Sequence, residues 1–185
     1  DVWFVVGIPI YFYAVLSDGS EAGNRAAFFM IGTFMAVWTI LYGVVQGWSP
    51  RILRAGSRSE VQLHAQAARW VAALAVVPAV LAVVVWLVPE ASMGLTTLIV
   101  AGLLLFGGLF AVNSALHSYL ILSFTDASRV TMDVGFYYMS NAAGRLAGTV
   151  LSGLTYQLGG LPLCLGTAAL MIGLSWLAVK RLETA

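Results

Sequence analysis

Two pairs of polar side chains interrupt the apolar segments of this chain, each at the spacing of one helical turn. Asn141 and Arg145 are four residues apart, as are Asn113 and His117, so each pair would share one face of a helix. The planar guanidinium of arginine stays charged and binds carboxylate or phosphate oxygens through two parallel hydrogen bonds. We therefore interpret these four residues as a candidate binding site for a small organic anion.

Arg145 lies inside a segment, Val134–Leu158, that is otherwise apolar enough to cross a bilayer. At about 1.5 Å per helical residue it would lie about 16 Å from Val134, near the middle of a hydrocarbon layer about 30 Å thick. An ionisable residue at that depth usually marks a binding site or a transport pathway. The alternative interpretation is structural, with Arg145 paired to an acid or to helix-end carbonyls elsewhere.

A depth count relates the two pairs to each other. If Asn113 and His117 lie on an antiparallel neighbouring helix, Asn113 is level with Arg145, and His117 is level with Asn141. The structural alternatives are that the asparagines join helices and that His117 donates to a nearby backbone or side chain. All four residues are predicted here to bind substrate.

The composition predicts an all-α integral membrane protein that lies in the lipid bilayer. Apolar residues make up 61% of the chain and charged residues 9%, against about 45–50% and about 25% in soluble domains. A net charge of +1 without a basic stripe argues against a nucleic-acid partner. Cys164 is the single cysteine, and neither metal-ligand spacing nor a set of nucleophile, base and acid is visible. We expect no enzyme, no cofactor and no bound metal.

Six apolar segments have about the length that a membrane-spanning helix needs. They are Val2–Leu16, Ala26–Val45, Trp70–Val88, Leu98–Leu122, Val134–Leu158 and Pro162–Val179. Lysine and arginine accumulate in cytosolic loops. When successive connections are assigned to opposite sides of the membrane, one side has nearly all of these residues and the other side has only Arg25. The residues on the basic side are Arg51, Arg54, Arg58, Arg69, Arg129, Lys180 and Arg181. This pattern predicts a cytosolic C-terminus and a cytosolic loop at about residues 46–69.

The distribution of polar residues predicts two inverted three-helix repeats, the unit from which each half of a major facilitator superfamily transporter is built. Segments three and six have almost no polar residues in their middles and are expected to face lipid. Residues 1–185 would form a single six-helix bundle. Because Asp1 enters an apolar run without a starting methionine, we expect a segment of a longer protein.

Two stretches carry a family resemblance. They are DVWFVVGIPIY (Asp1–Tyr11) and NSALHSYLILSFTDASRVTMDVGFYYMSNAAGRLAGTVLSGLTYQLGG (Asn113–Gly160), of which DVGFYYMSNAAGRLAGTVLSG (Asp133–Gly153) is the most specific. The chain resembles the C-terminal half of the ArsJ family of organoarsenical efflux permeases, within the major facilitator superfamily. The resemblance implies helices seven to twelve of a twelve-helix exporter in the bacterial inner membrane, completed by an N-terminal six-helix half.

The resemblance also implies a substrate, 1-arseno-3-phosphoglycerate. Glyceraldehyde-3-phosphate dehydrogenase forms this compound when arsenate replaces phosphate, so its export would confer arsenate resistance. Phosphate, carboxylate and arsenate groups suit a site with one arginine and several amide and imidazole donors. Two other hypotheses stay open: an exporter of another organic anion or drug, and a non-transporting assembly domain. The assembly domain would use the small-residue face formed by Ser140, Gly144, Gly148 and Ser152.

Overall fold

The chain folds into long α-helices joined by short connections. The computed structural model describes residues 2–54, 60–125 and 128–182, and within these residues every regular element is an α-helix. The five helices in the described ranges are α1 (Val2–Leu16), α2 (Glu21–Leu53), α3 (Glu60–Leu87), α4 (Met93–Phe124) and α5 (Val130–Leu182). The predicted all-α class is confirmed.

Four of the described helices, α2 to α5, are long and apolar enough to cross a membrane, and Val6–Leu16 of α1 is a shorter apolar helix. The 33 residues of α2 extend about 50 Å, whereas the hydrocarbon layer of a bilayer is about 30 Å thick. The chain therefore has the helices of a multi-pass membrane protein.

Helix α5 is a hairpin of two helical arms. Its backbone leaves the helical conformation at Gly159 and Gly160, and Gly160 has φ 63°, a conformation that glycine adopts without steric cost. The Ser152 Oγ and Cys164 Sγ atoms are 3.4 Å apart, although twelve residues of straight helix would separate them by about 18 Å. The chain therefore folds back at Gly159–Gly160 into a first arm (130–158) and a second arm (161–182).

Helices α2 and α3 extend into the region predicted as a cytosolic loop. Residues 46–53 belong to α2 and residues 60–69 to α3, so most of the described part of 46–69 is helical rather than loop. Pro50 lies in the last turn of α2. Arg54, the residue that caps the end of this helix, has a left-handed backbone conformation, and its N–H donates to the Pro50 carbonyl at 3.0 Å. The connection between α2 and α3 is therefore shorter than the predicted loop at both ends.

Two apolar clusters lie at different levels of the bundle. The larger joins α1, α2, α3, α4 and the second arm through side chains such as Phe12, Trp38, Leu81, Phe106 and Leu165. The smaller joins the C-terminal ends of α2 and α4 to the N-terminal part of α3, with Val179 packed against it. Its buried members are Leu53, Leu63, Ala67, Val112, Leu116 and Leu120. Successive helices from α2 to α4 are therefore antiparallel.

A glycine lets α2 approach α4 closely. Trp38 of α2 is buried, and its indole N–H donates to the Leu103 carbonyl of α4 at 2.8 Å. A Cβ atom added at Gly107 would lie 2.8 Å from two atoms of the indole ring. At the adjacent Gly108, an added Cβ would have no neighbour within 4 Å.

The Gly107→Ala substitution is expected to destabilise the bundle by about 1–3 kcal/mol, because the added methyl group overpacks the Trp38 ring. Gly108→Ala is the matched control, and it should leave stability unchanged or raise it by up to about 1 kcal/mol through helix propensity. Thermal unfolding of both detergent-purified variants would test this difference. Equal unfolding temperatures for the two variants would contradict the close approach of α2 to α4.

Candidate functional site

Arg145 and Asn141 lie on the exposed surface of the first arm of α5. Between residues 134 and 158 of this arm only Ser152 is buried, and the side chains of Asn141, Arg145 and Thr149 are all exposed. The Thr149 hydroxyl donates to the Arg145 carbonyl at 2.9 Å. Arg145 is about 20 Å from either end of the arm, near its middle. The sequence-predicted polar stripe is therefore presented outward from this bundle.

The exposed face around Arg145 is otherwise apolar. Leu146 is 70% exposed and Val150 is 62% exposed. A centrally placed arginine in a membrane helix costs about 2.5–3.5 kcal/mol on insertion scales when it meets lipid. This face is therefore better suited to contact with protein or with a water-filled path than with hydrocarbon.

Asn113 and His117 lie on one side of α4, and both are half-buried. The His117 Nδ1 atom is 2.9 Å from the Asn113 backbone carbonyl. Because a carbonyl oxygen can only accept, we assign the ring proton to Nδ1, and the neutral ring then has its acceptor at Nε2. The Asn113 side-chain oxygen is buried without a hydrogen-bond partner in the described residues, so it is an unused acceptor in α4.

One of the four predicted residues, His117, lines a cavity near the end of the bundle where α2 and α4 end. This cavity has a volume of about 400 Å³, and Asp133 and Tyr137 of the first arm also line it, whereas Asn113, Asn141 and Arg145 do not. Of the first-arm residues that share this cavity with His117, Tyr137 lies one turn before Asn141. The depth count assumed that α4 and the first arm are close neighbours along their length, but α5 packs far more extensively on α3 than on α4.

His64 is the cavity residue that the sequence analysis missed. It lies on α3 and lines the same cavity as His117. The prediction had placed residues 46–69 in a loop, which removed His64 from any helix face. With α3 beginning at Glu60, His64 lies one turn into a helix. The available sequence signal was the helical spacing of the apolar residues Leu63, Ala67 and Val71 around it.

The small-residue face of the first arm packs at one end only. Ser152 is buried against Cys164 of the second arm, whereas Ser140 and Gly144 are exposed. Cys164 is a buried free thiol, and a Cβ atom at Gly7 of α1 would lie 2.9 Å from its sulfur. Cys164 therefore serves packing, and α1 contacts the hairpin at this point.

Across the described ranges, no group of three or more His, Cys, Asp or Glu side chains could hold a metal ion. Comparisons with known proteins add no assignment: no protein-family model, no curated protein and no solved structure matches this chain. The argument for function therefore depends on the residues and geometry of the chain itself.

Proposed function

We propose that this chain is the C-terminal six-helix half of a major facilitator superfamily exporter whose substrate is the organoarsenical 1-arseno-3-phosphoglycerate. The resemblance of Asp1–Tyr11 and Asn113–Gly160 to the ArsJ permeases supports the family and the substrate. The observation that carries a transport function is the exposed Arg145 in the middle of an apolar membrane helix.

The exposed polar face suits one wall of a transport pathway. A facilitator binds its substrate between two six-helix halves near the middle of the membrane. Arg145 and Asn141 would then point toward the N-terminal half and toward the substrate between the halves. The guanidinium fork would bind phosphate, arsenate or carboxylate oxygens bidentately. Further cationic residues would come from the other half, because this substrate carries several negative charges.

The division of α5 at Gly159–Gly160 supports six membrane crossings, with the shorter apolar helix α1 counted as one of them. A continuous helix of 53 residues would extend about 80 Å, far beyond the thickness of a bilayer. Each arm of the hairpin has about the length needed for one crossing. The first trio of helices would then be α1 to α3, and the second trio would be α4 with the two arms.

The contacts between helices support an inverted repeat of these two trios. In such a repeat, α2 corresponds to the first arm and α4 corresponds to α1, because each pair has the same place in its trio. A contact between α2 and α4 therefore predicts a matching contact between the first arm and α1. Both contacts occur: Trp38 bonds to Leu103, and Gly7 packs beside Tyr156. The second members are also alike in their exposure, since only Ala27, Trp38, Ser49 and Leu53 of α2 are buried and only Ser152 is buried between residues 134 and 158 of the first arm.

The basic residues support a cytosolic C-terminus in a bacterial inner membrane. The smaller apolar cluster joins Leu53, Leu63 and Leu120 to Val179, so the ends of α2, α4 and the second arm lie together with the start of α3. The basic residues near that end are Arg51, Arg54, Arg69, Arg129, Lys180 and Arg181. The opposite end has Arg25, and positive residues favour the cytosolic side.

Cysteine labelling tests this orientation. Glu90, in the exposed connection between α3 and α4, is expected to face outside, so Glu90→Cys in a Cys164→Ala background should react with an impermeant maleimide in intact cells. Arg129→Cys is the matched site at the opposite end and should react only after lysis. The reverse pattern would contradict the proposed orientation.

Glu90 is a better labelling site than Ser20, which lies in the other connection at that end. The Ser20 hydroxyl accepts from the Gly23 N–H at 2.9 Å and so caps α2. It also donates to the Asp18 carboxylate at 2.7 Å, and this hydrogen bond lowers the pKa of Asp18. A cysteine at Ser20 would therefore disturb the start of α2.

Arsenate resistance tests the function. Cells that make the complete transporter together with glyceraldehyde-3-phosphate dehydrogenase should grow in arsenate concentrations that inhibit cells with either protein alone.

A further inference from the structure

Both histidines of the chain line one cavity near the end of the bundle where α2 and α4 end. This cavity, called here the histidine cavity, has a volume of about 400 Å³ and lies between α3, α4 and both arms of α5. Its polar lining residues are His64, His117, Thr125, Asp133 and Tyr137, and its apolar lining residues are Ala67, Leu120, Ile121 and Val179.

Three of the polar residues that line the cavity, His117, Thr125 and Asp133, contribute mainly hydrogen-bond acceptors. Because His117 uses its Nδ1–H on the Asn113 carbonyl, a neutral His117 ring has only the Nε2 acceptor left. The hydroxyl of Thr125, the residue that follows α4, donates to the Ile121 carbonyl at 2.6 Å. Asp133 adds carboxylate oxygens, which accept when ionised. His117 and Asp133 therefore offer acceptor atoms to the cavity, and such atoms can bind a proton.

The titratable groups that line the cavity come from three helical segments. His64 comes from α3, His117 from α4, and Asp133 and Tyr137 from the first arm. The second arm contributes only the apolar Val179 to the described lining.

No lysine or arginine of the described residues near this end of the bundle lines the cavity. Lys180 lies over the Trp176 ring, 4.5 Å from its centroid, and Arg129, one turn before Asp133, is exposed. Neither side chain lines the cavity. Because imidazole ordinarily changes charge between about pH 5 and about pH 8, one proton on either histidine would offset the charge of Asp133.

We propose that the histidine cavity binds the proton that the transporter exchanges for its substrate, an inference that rests on the proposed function. The proton arrives from water and forms an N–H bond on a histidine ring, at Nε2 in the case of His117. It leaves to water on the cytosolic side. The first arm links the two sites, since it presents Arg145 on its exposed face and Asp133 and Tyr137 to the cavity.

Everted membrane vesicles that contain the complete transporter test this assignment, because export from the cell becomes uptake into the vesicle. Glyceraldehyde-3-phosphate dehydrogenase, its substrates and radioactive arsenate would generate the organoarsenical outside. With the membrane potential collapsed, an interior more acidic by one pH unit should increase arsenic accumulation by up to about tenfold if one proton is exchanged per substrate. The readout is the ratio of uptake with the gradient to uptake at equal pH.

The variants His64→Gln, His117→Gln and Asp133→Asn should lower this ratio to about one, since glutamine and asparagine do not titrate in this range. Glu90→Gln removes a carboxylate from the opposite end of the bundle and should keep the wild-type ratio. A wild-type ratio in both histidine variants would overturn the proposal. Loss of His64→Gln uptake in both conditions, at equal membrane abundance, would place His64 in the substrate path and would also overturn it.

The wild-type transporter separates this inference from the proposed function. Uptake at equal pH without any response to the gradient would refute the proton site while supporting organoarsenical transport. Absence of wild-type uptake in every condition would refute the proposed function, and with it the inference.

Discussion

Replacing Arg145 with alanine is expected to abolish organoarsenical export while the protein still inserts into the membrane. The side chain is exposed on the first arm, so its truncation leaves no cavity inside the bundle. Its loss would remove a bidentate partner for the substrate oxygens. Truncating one member of a hydrogen-bonded charge pair costs about 2–5 kcal/mol, so uptake into everted vesicles should fall by about two orders of magnitude.

Two further variants separate the chemistry of Arg145 from its charge. Arg145→Lys should recover little uptake, because an ammonium group cannot reproduce the planar fork of guanidinium. Arg69→Ala removes an exposed arginine from α3 near the proposed cytosolic end and should retain most of the uptake. Comparable uptake by Arg145→Ala and wild type, at equal abundance in the membrane, would refute Arg145 as a substrate-binding residue.

Arsenate resistance is expected only when the complete transporter and glyceraldehyde-3-phosphate dehydrogenase are made together. The transporter needs the product of the enzyme, and the enzyme reaction protects the cell only when its product leaves. The 185 residues alone should confer no resistance, because alternating access requires two halves that move around a central site. Growth across a range of arsenate concentrations, with all four combinations of the two proteins, measures this dependence.

The outcomes of the growth experiment distinguish the candidate functions. Resistance that persists without the dehydrogenase would indicate direct transport of inorganic arsenic. If no combination gives resistance although the transporter is abundant in the membrane, the organoarsenical would be the wrong substrate. Another organic anion would then be the leading candidate, because the exposed Arg145 is independent of the arsenic assignment.

The helical segments were largely predictable because they depend on local composition. The predicted boundaries Val2–Leu16 coincide with α1, and the predicted gap between Leu158 and Pro162 contains the break at Gly159 and Gly160. The ends of α2 and α3 were less predictable. The predicted loop began at about residue 46, before Pro50, whereas α2 continues through this proline and ends at Leu53.

The neighbours of each polar residue could not be predicted in the same way. The depth count placed His117 level with Asn141, whereas in the structure His117 lines a cavity together with Tyr137, Asp133 and His64. Depth along a helix follows from residue number, but the identity and register of the neighbouring helix do not. Both depend on packing, such as the close approach at Gly107 that brings Trp38 of α2 against α4.

The sequence by itself therefore determined an all-α membrane protein, the positions of its apolar segments and the polar stripe that contains Asn141 and Arg145. These features follow from composition and from the periodicity of the helix, which are properties of residues close together in the chain. Only the tertiary structure decided that this stripe lies on the exposed surface and that His64 and His117 share a cavity. Such relations join residues far apart in sequence, and they are determined by how the apolar surfaces of separate helices fit together.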